Sequence, residues 1–133
     1  MRALIVQGNN DLGKVWARHL ERLGAEVIHA ATGAEALNYI QEQTLDAIVL
    51  DLVLSDGSAL SVADFANYSQ PEASVVFVTD TTFFSDESIF AHCPNARAFV
   101  ETATPPSDLA AIVHHYGGGA SRARADARGL VAD

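Results

Sequence analysis

Five short apolar runs alternate with helical patterns along the chain, and this alternation most constrains the fold. The runs are rich in Val and Ile and span residues 3–6, 25–28, 47–50, 75–78 and 96–100. The first, third and fourth are apolar at nearly every position, which is typical of strands buried on both faces. The second and fifth are more broken, as expected at the edges of a sheet. Five β–α repeats predict a parallel sheet with right-handed crossovers and helices on both faces.

Helical spacing of apolar residues predicts helices over residues 11–23, 33–43, 58–68, 85–92 and 107–116. Thr32 and Glu35 stand at capping-box spacing before the second helix, and Leu60 is expected to face inward from the third. The helical pattern stops at Gly117. We therefore predict one compact domain over residues 1–116 and a flexible tail over 117–133, with Arg122, Arg124 and Arg128 in the tail.

The composition excludes several classes of function. Seventeen acidic residues against eight basic ones give a net charge of −9, which argues against nucleic-acid binding because phosphate backbones require clustered Lys and Arg. The single cysteine, Cys93, excludes an internal disulfide. The histidines are scattered, so no zinc site is expected. The sequence contains no stretch of the length and apolarity of a membrane span or signal peptide, so we expect a soluble, cytoplasmic protein.

Polar residues close two of the central runs. Asp51 ends the third run and Thr79 the fourth. Either residue alone could simply cap a turn. In open parallel sheets, however, ligands and chemistry gather at the carboxyl ends of the strands. The two residues therefore mark the edge of the sheet where a functional site is expected.

Residues 2–116 resemble the receiver domain of bacterial two-component response regulators. The strongest match is the segment Ala-Ile-Val-Leu-Asp-Leu-Val-Leu-Ser-Asp-Gly over residues 47–57. The resemblance implies a three-layer α/β/α sandwich of flavodoxin-like strand order 2-1-3-4-5. It also implies that Asp51 is the phosphoacceptor position, Thr79 the hydroxyl that bonds the phosphoryl group, and Phe99 the aromatic switch residue.

The chain departs from the family at the metal site. The family carries two adjacent acidic residues after the first strand, where this sequence has Gln7 and Gly8. Mg²⁺ prefers oxygen ligands and usually takes carboxylates. Asp51 and the carbonyl of Val53 are the family ligands that remain. No metal or other cofactor is therefore expected.

The chain also departs from the family at the phosphoryl site. Thr102 stands where the family has a lysine that pairs with phosphoryl oxygens, and Asp80 follows Thr79 where a small neutral residue is usual. An added carboxylate at about 4 Å would repel a phosphate by on the order of a few kcal/mol. These substitutions predict weak or absent phosphorylation of Asp51.

The sequence therefore predicts an atypical, single-domain response regulator that is not an enzyme and acts through protein–protein contacts. The expected partner is a histidine kinase or a downstream regulator. The expected contact face comprises the helix over 85–92, the strand that contains Phe99 and the helix over 107–116, and a homodimer is left open. One alternative is a phosphorylation-competent receiver that uses Mg²⁺ and accepts a phosphoryl group on Asp51.

A second alternative is a small nucleotide-binding protein. Residues 8–14 fit the phosphate-loop pattern G-x-x-x-x-G-K between a strand and a helix. Against it, Val15 replaces the hydroxyl that should hold Mg²⁺, and Asp11 would place negative charge in the cradle. If the helix begins near Asn10, Lys14 lies within its first turns and faces solvent.

Overall fold

The computed structural model describes residues 1–54, 59–79 and 96–118. Five strands form one parallel sheet in the order β2-β1-β3-β4-β5, which confirms the predicted order. The strands are β1 (Arg2–Val6), β2 (Glu26–Ala30), β3 (Ala47–Asp51), β4 (Ser74–Thr79) and β5 (Ala96–Glu101). The helices are α1 (Asn10–Arg22), α2 (Gly33–Glu42), α3 (Ala59–Ser69) and α4 (residues 106–118). The predicted helix over 85–92 and residues 119–133 lie outside the described residues.

The sheet separates two apolar cores because side chains alternate between its faces. On β1, Leu4 and Val6 pack toward α2 and α3, whereas Ala3 and Ile5 pack toward α1 and α4. Every residue of β3 and β4 is buried. The predicted three-layer sandwich is therefore the observed architecture.

The helix ends follow local capping chemistry. Thr32 Oγ1 accepts from the backbone N–H of Glu35 at 3.2 Å, and Glu35 reaches back to accept from the N–H of Ala31. At the end of α1, Gly24 adopts a φ of 91°. Its N–H donates to Glu21 O, and that of Ala25 donates to Leu20 O, which is a Schellman ending. These contacts fix where β2 and α2 begin.

Three sequence expectations need correction. The second strand continues to Ala30, two residues beyond the predicted end. Leu60 is 54% exposed, because α3 buries Ala59, Val62, Ala63 and Ala66 instead. Helix α4 includes Gly117 and Gly118, which lie beyond residue 116, the predicted end of this helix. A Cβ on Gly117 would lie 2.6 Å from Met1 Sδ, so close packing favours glycine here.

Within the described ranges, every helix falls short of the length and apolar character that a bilayer span requires.

Candidate functional site

Asp51 lies at the carboxyl edge of the sheet, as its position in the sequence predicts. It is the last residue of β3 and is 9% exposed. Its Oδ1 accepts a hydrogen bond from the N–H of Val53 at 2.9 Å, which turns the chain out of the strand. Leu52 N–H donates to Val78 O on the neighbouring strand. The carboxylate is thus anchored at the point where the central strand ends.

Thr79 and Thr102 come to the same edge on the next two strands. Asp51 pairs in register with Val78, so Thr79 lies one step further along β4. Thr79 is buried, and its carbonyl accepts from the N–H of Thr102 at 2.9 Å. Thr102 directly follows β5 and is half-buried. The structure therefore places the three predicted site positions at the ends of three neighbouring strands.

Gln7 and Gly8 follow β1, whose Val6 pairs with Leu50, the residue before Asp51. Gln7 is buried, and its side-chain Oε1 accepts from the N–H of Asn9 at 3.0 Å. Since a backbone N–H can only donate, this bond fixes which end of the amide is oxygen. Gln7 Nε2 is buried without a hydrogen-bond partner among the described residues. The Gln7 amide thus has an oxygen that accepts one hydrogen bond and an N–H₂ group without a partner in this part of the chain.

Gly8 is exposed and leaves open space at the end of β1. A Cβ built on it would meet Ala31 O at 3.7 Å, an ordinary contact distance. The backbone of Gly8 has a φ outside the positive range. An aspartate could therefore occupy this position without displacing the chain, although the sequence does not provide one.

His29 is a site neighbour that the sequence analysis missed. Its Nε2 lies 2.9 Å from Gln7 O, and it is on β2, beyond the predicted end of that strand. Because the carbonyl can only accept, the histidine donates. His29 lies opposite Ile5 in the parallel β1–β2 pair. A predicted second strand that continued to residue 30 would have placed His29 near Gln7. His29 thereby fixes the backbone on which Gln7 is carried.

Phe99 packs beneath this edge. Its ring stacks on Phe77 with the centroids 5.0 Å apart and an interplanar angle of 22°. Phe77 is fully buried, whereas Phe99 is half-buried on β5, the terminal strand of the sheet. The position predicted for the aromatic switch thus links the core to the surface. The switching role itself stays a prediction.

The geometry of residues 8–14 differs from that of a phosphate loop. Asn9 caps α1, its Oδ1 accepting from Leu12 N–H, and the helix begins at Asn10. Gly13 N–H donates to Asn9 O within the helix at 2.9 Å, so it cannot cradle a phosphate. Lys14 is exposed on the second turn. The nucleotide-binding alternative therefore has no loop to support it.

The described residues at this edge do not by themselves fit a Mg²⁺ site. Within residues 1–54, 59–79 and 96–118, no three His, Cys, Asp or Glu side chains are grouped as a metal centre. Asp51 is the carboxylate at the end of β3, while β1 contributes a neutral amide and a glycine. A hard divalent cation prefers several oxygen ligands, usually including more than one carboxylate. The donors that the described residues place at this edge are too poor in negative oxygen for such an ion.

Comparison with known proteins is consistent with this architecture. No family model matches the chain. A response regulator receiver protein from Brucella abortus, CpdR, is 27% identical over 78 residues, which cover 59% of this chain. The match spans 65% of the length of that relative, slightly under two thirds.

Solved structures share the fold. A CheY-like response regulator receiver domain from Methanospirillum hungatei superposes with a TM-score of 0.81 at 22% identity, covering 91% of this chain and 96% of its own. The response regulator TrrA from Thermotoga maritima, solved in complex with Mg²⁺-BeF, superposes with a TM-score of 0.76 at 21% identity over 86% of this chain and 97% of its own. The chain therefore has the fold of response-regulator receiver (CheY-like) domains, and it is similar to the curated receiver protein over part of its length.

Proposed function

We propose that this receiver domain transmits signals through protein–protein contacts and that Mg²⁺-dependent phosphorylation of Asp51 is weak or absent. On this proposal the domain is a binding module and not an enzyme. The proposal depends on the polar groups at the carboxyl edge of the sheet, because phosphoryl transfer to an aspartate requires the developing negative charge to be neutralised.

The orientation of the Gln7 amide is the observation that carries this proposal. Its oxygen, the one side-chain atom of Gln7 that could ligate a cation, is uncharged and already accepts a hydrogen bond from the N–H of Asn9 at 3.0 Å. The atom left without a partner is Nε2, which bears partial positive charge and donates. Position 7 therefore offers a cation at most a neutral oxygen, where Mg²⁺ usually takes a carboxylate.

Position 102 brings no positive charge to the phosphoryl side of the site. Thr102 is half-buried, and its backbone N–H is used by Thr79 O. Its hydroxyl can bond a phosphoryl oxygen but cannot neutralise it. With no cation from Thr102 and a poor metal site at β1, an aspartyl-phosphate would gain little stabilisation.

The contact surface we propose includes β5 and α4. β5 is the terminal strand of the sheet, and Phe99 is half-buried on it against Phe77. Aromatic side chains that connect a core to a surface are common anchors of interfaces. We propose a protein partner there, either a histidine kinase or a downstream regulator. The predicted helix over 85–92, the third part of this surface, lies outside the described residues.

A phosphorylation-competent receiver is the second candidate, and the register of β3 and β4 favours it. Asp51 opposes Val78, which places the Thr79 position next to the carboxylate. Relatives of the same fold include the Thermotoga maritima protein solved with Mg²⁺-BeF. The two candidates differ in a measurable quantity, the affinity of the free protein for Mg²⁺.

Isothermal titration calorimetry of the full chain with MgCl₂ tests the proposal. We expect no saturable binding up to millimolar Mg²⁺, and an isotherm indistinguishable from that of the Asp51→Asn control. Saturable binding in the wild type that the Asp51→Asn variant loses would favour the second candidate and refute ours. Calcium chloride, titrated in parallel, distinguishes a specific site from general attraction of cations to an acidic protein.

A further inference from the structure

An acidic cavity lies at the end of the molecule opposite Asp51. It has a volume of about 540 Å³ and is lined by the segments that end α2 and α3, residues 40–44 and 69–72. The charged side chains among its lining residues are Glu42 and Glu72, both exposed. The cavity is therefore negative in net side-chain charge.

Two helix C-termini add to this negative potential. The carbonyl end of a helix carries partial negative charge, which basic residues in the last turn usually offset. Neither α2 nor α3 has a basic residue in its last turn, whereas α1 has His19 and Arg22 there. Arg2 donates to Gln43 Oε1 near the cavity, but its guanidinium is paired with Glu26 at 3.0 Å. Gln70 Nε2 donates to Ile40 O and Gln43 O, but this amide is neutral. Glu42 and Glu72 thus have no ion pair within the described residues, and the cavity is suited to a further cationic group.

The chain leaves the described structure at the same end of the sheet. A Cβ on Gly117 would lie 3.2 Å from the Cβ of Ala47, the first residue of β3. Ser74, the first residue of β4, donates through Oγ to Tyr116 O at 3.2 Å. Thr44 and Glu72 precede these strands by three and two residues, so each lies within about 10 Å of its strand start. The last described turn of α4 therefore lies at the same end of the sheet as the loops that form the cavity.

The residues beyond α4 carry complementary charge. Arg122, Arg124 and Arg128 are three of the eight basic residues of the chain, and two aspartates, Asp126 and Asp133, accompany them. Six residues of extended chain span about 20 Å, which lets Arg124 reach the cavity from Gly118. Gly119, the first residue beyond the described part of α4, has no side chain to hinder the change of direction that this path requires. Charge and reach both favour occupation by this segment.

We propose that residues 119–128 of this same chain dock across the cavity between the ends of α2 and α3, and that their arginines pair with Glu42 and Glu72 and the helix carbonyl ends. Docking would cover the amino-terminal edge of the sheet, away from Asp51. The solvent exposure of the ends of α2 and α3 would then depend on whether the C-terminal segment is docked. The proposal does not depend on whether Asp51 is phosphorylated.

Amide ¹H–¹⁵N spectra of the full chain test the docking. We expect R122Q/R124Q/R128Q to shift the amides of residues 40–44, 69, 70 and 72, and E42Q/E72Q to shift the amides of residues 120–128. The matched control is K14Q/R18Q/R22Q, which removes three exposed charges from α1 on the other face of the sheet. We expect it to leave the cavity amides unchanged. Raising the salt to about 1 M, where screening acts within about 3 Å, should reproduce the effect of the arginine variant.

Three results would overturn the proposal. The cavity amides of the arginine variant could superimpose on those of the wild type. The arginine variant and the α1 control could shift them equally. Finally, the wild-type cavity shifts could change with protein concentration, in which case the occupant is the segment of a second copy and not of the same chain.

Discussion

Gly13 and His29 lie so close together that a Cβ on the glycine would stand 2.5 Å from the histidine Nε2. The histidine ring is held in place because Nε2 also donates to Gln7 O at 2.9 Å. The glycine in α1, the histidine in β2 and the backbone at the end of β1 thus form one packed unit. This unit sets the position of Gln7 beside the carboxyl edge of the sheet.

Gly13→Ala should lower the free energy of unfolding when residue 29 is histidine and raise it when residue 29 is alanine. In the wild type, the new methyl group must displace the histidine ring, and we expect a loss of about 1–2 kcal/mol from overpacking and the lost hydrogen bond. In a His29→Ala background the space is free, and the higher helix propensity of alanine should stabilise by about 1 kcal/mol. Urea denaturation of the four proteins measures both changes. Equal effects in the two backgrounds would show that the contact does not constrain position 13.

Gln70→Glu should destabilise the fold by about 1–3 kcal/mol. Gln70 Nε2 donates to the carbonyls of Ile40 and Gln43, and its Oε1 accepts from Leu45 N–H at 2.7 Å. A carboxylate keeps the acceptor but has no donor, and it adds negative charge at the C-terminal end of α2. Gln41→Glu is the control, since it makes the same chemical change at an exposed position near the same cavity. Thermal unfolding should separate the two variants, and similar melting temperatures would contradict the bridging role of Gln70.

Phe99→Leu should lower the free energy of unfolding by about 0.5–1.5 kcal/mol more than the loss of buried apolar area alone would. This is the usual contribution of an aromatic pair. Phe99→Tyr keeps the ring that stacks on Phe77, and its hydroxyl can reach solvent because the side chain is half-buried. We expect the tyrosine variant to remain within about 0.5 kcal/mol of the wild type. Chemical denaturation gives both values. A tyrosine variant as unstable as the leucine variant would exclude stacking as the main contribution of this residue.

Adding the missing carboxylates should create Mg²⁺ affinity. In Gln7→Glu combined with Gly8→Asp, one Glu oxygen can still accept from Asn9 N–H while the other is available, and position 8 has room for a side chain. We expect binding at least about tenfold tighter than in the wild type, or about 1.4 kcal/mol. The control Gln41→Glu with Thr44→Asp adds the same charge at the opposite end of the sheet. A gain in the control equal to that in the site variant would attribute the affinity to net charge alone.

Much of the fold follows from sequence because the strongest signals are local. The runs that became β1, β3 and β4 are apolar at nearly every position, and the structure buries both of their faces. The N-cap of α2 at Thr32 and the end of α1 before Gly24 could also be predicted, since each depends on residues within one helical turn.

The sequence-based predictions that were wrong concern residues whose structure is determined by tertiary contacts. Gly117 looks like the end of a helix because glycine is a poor helix former, yet packing against Met1 and Ala47 keeps it helical. Leu60 is apolar but lies on the outer face of α3, where small residues make the buried contacts.

The positions of Asp51, Thr79, Gln7 and Thr102 could be predicted from strand ends and from the resemblance to receiver domains. The orientation of the Gln7 amide could not, because it depends on the backbone N–H of Asn9. The contact between His29 and Gln7 O likewise requires the register of β1 and β2, which the sequence does not encode locally.

Intact-mass spectrometry of the full chain after incubation with MgCl₂ and acetyl phosphate tests the central claim most directly, with Asp51→Asn as the control. We expect the wild type to keep its unmodified mass, as the variant does, because the edge of the sheet offers neither a second carboxylate from β1 nor a cation at Thr102. A stable adduct of one phosphoryl group in the wild type, absent from Asp51→Asn, would contradict the claim and establish this domain as a working phosphoacceptor.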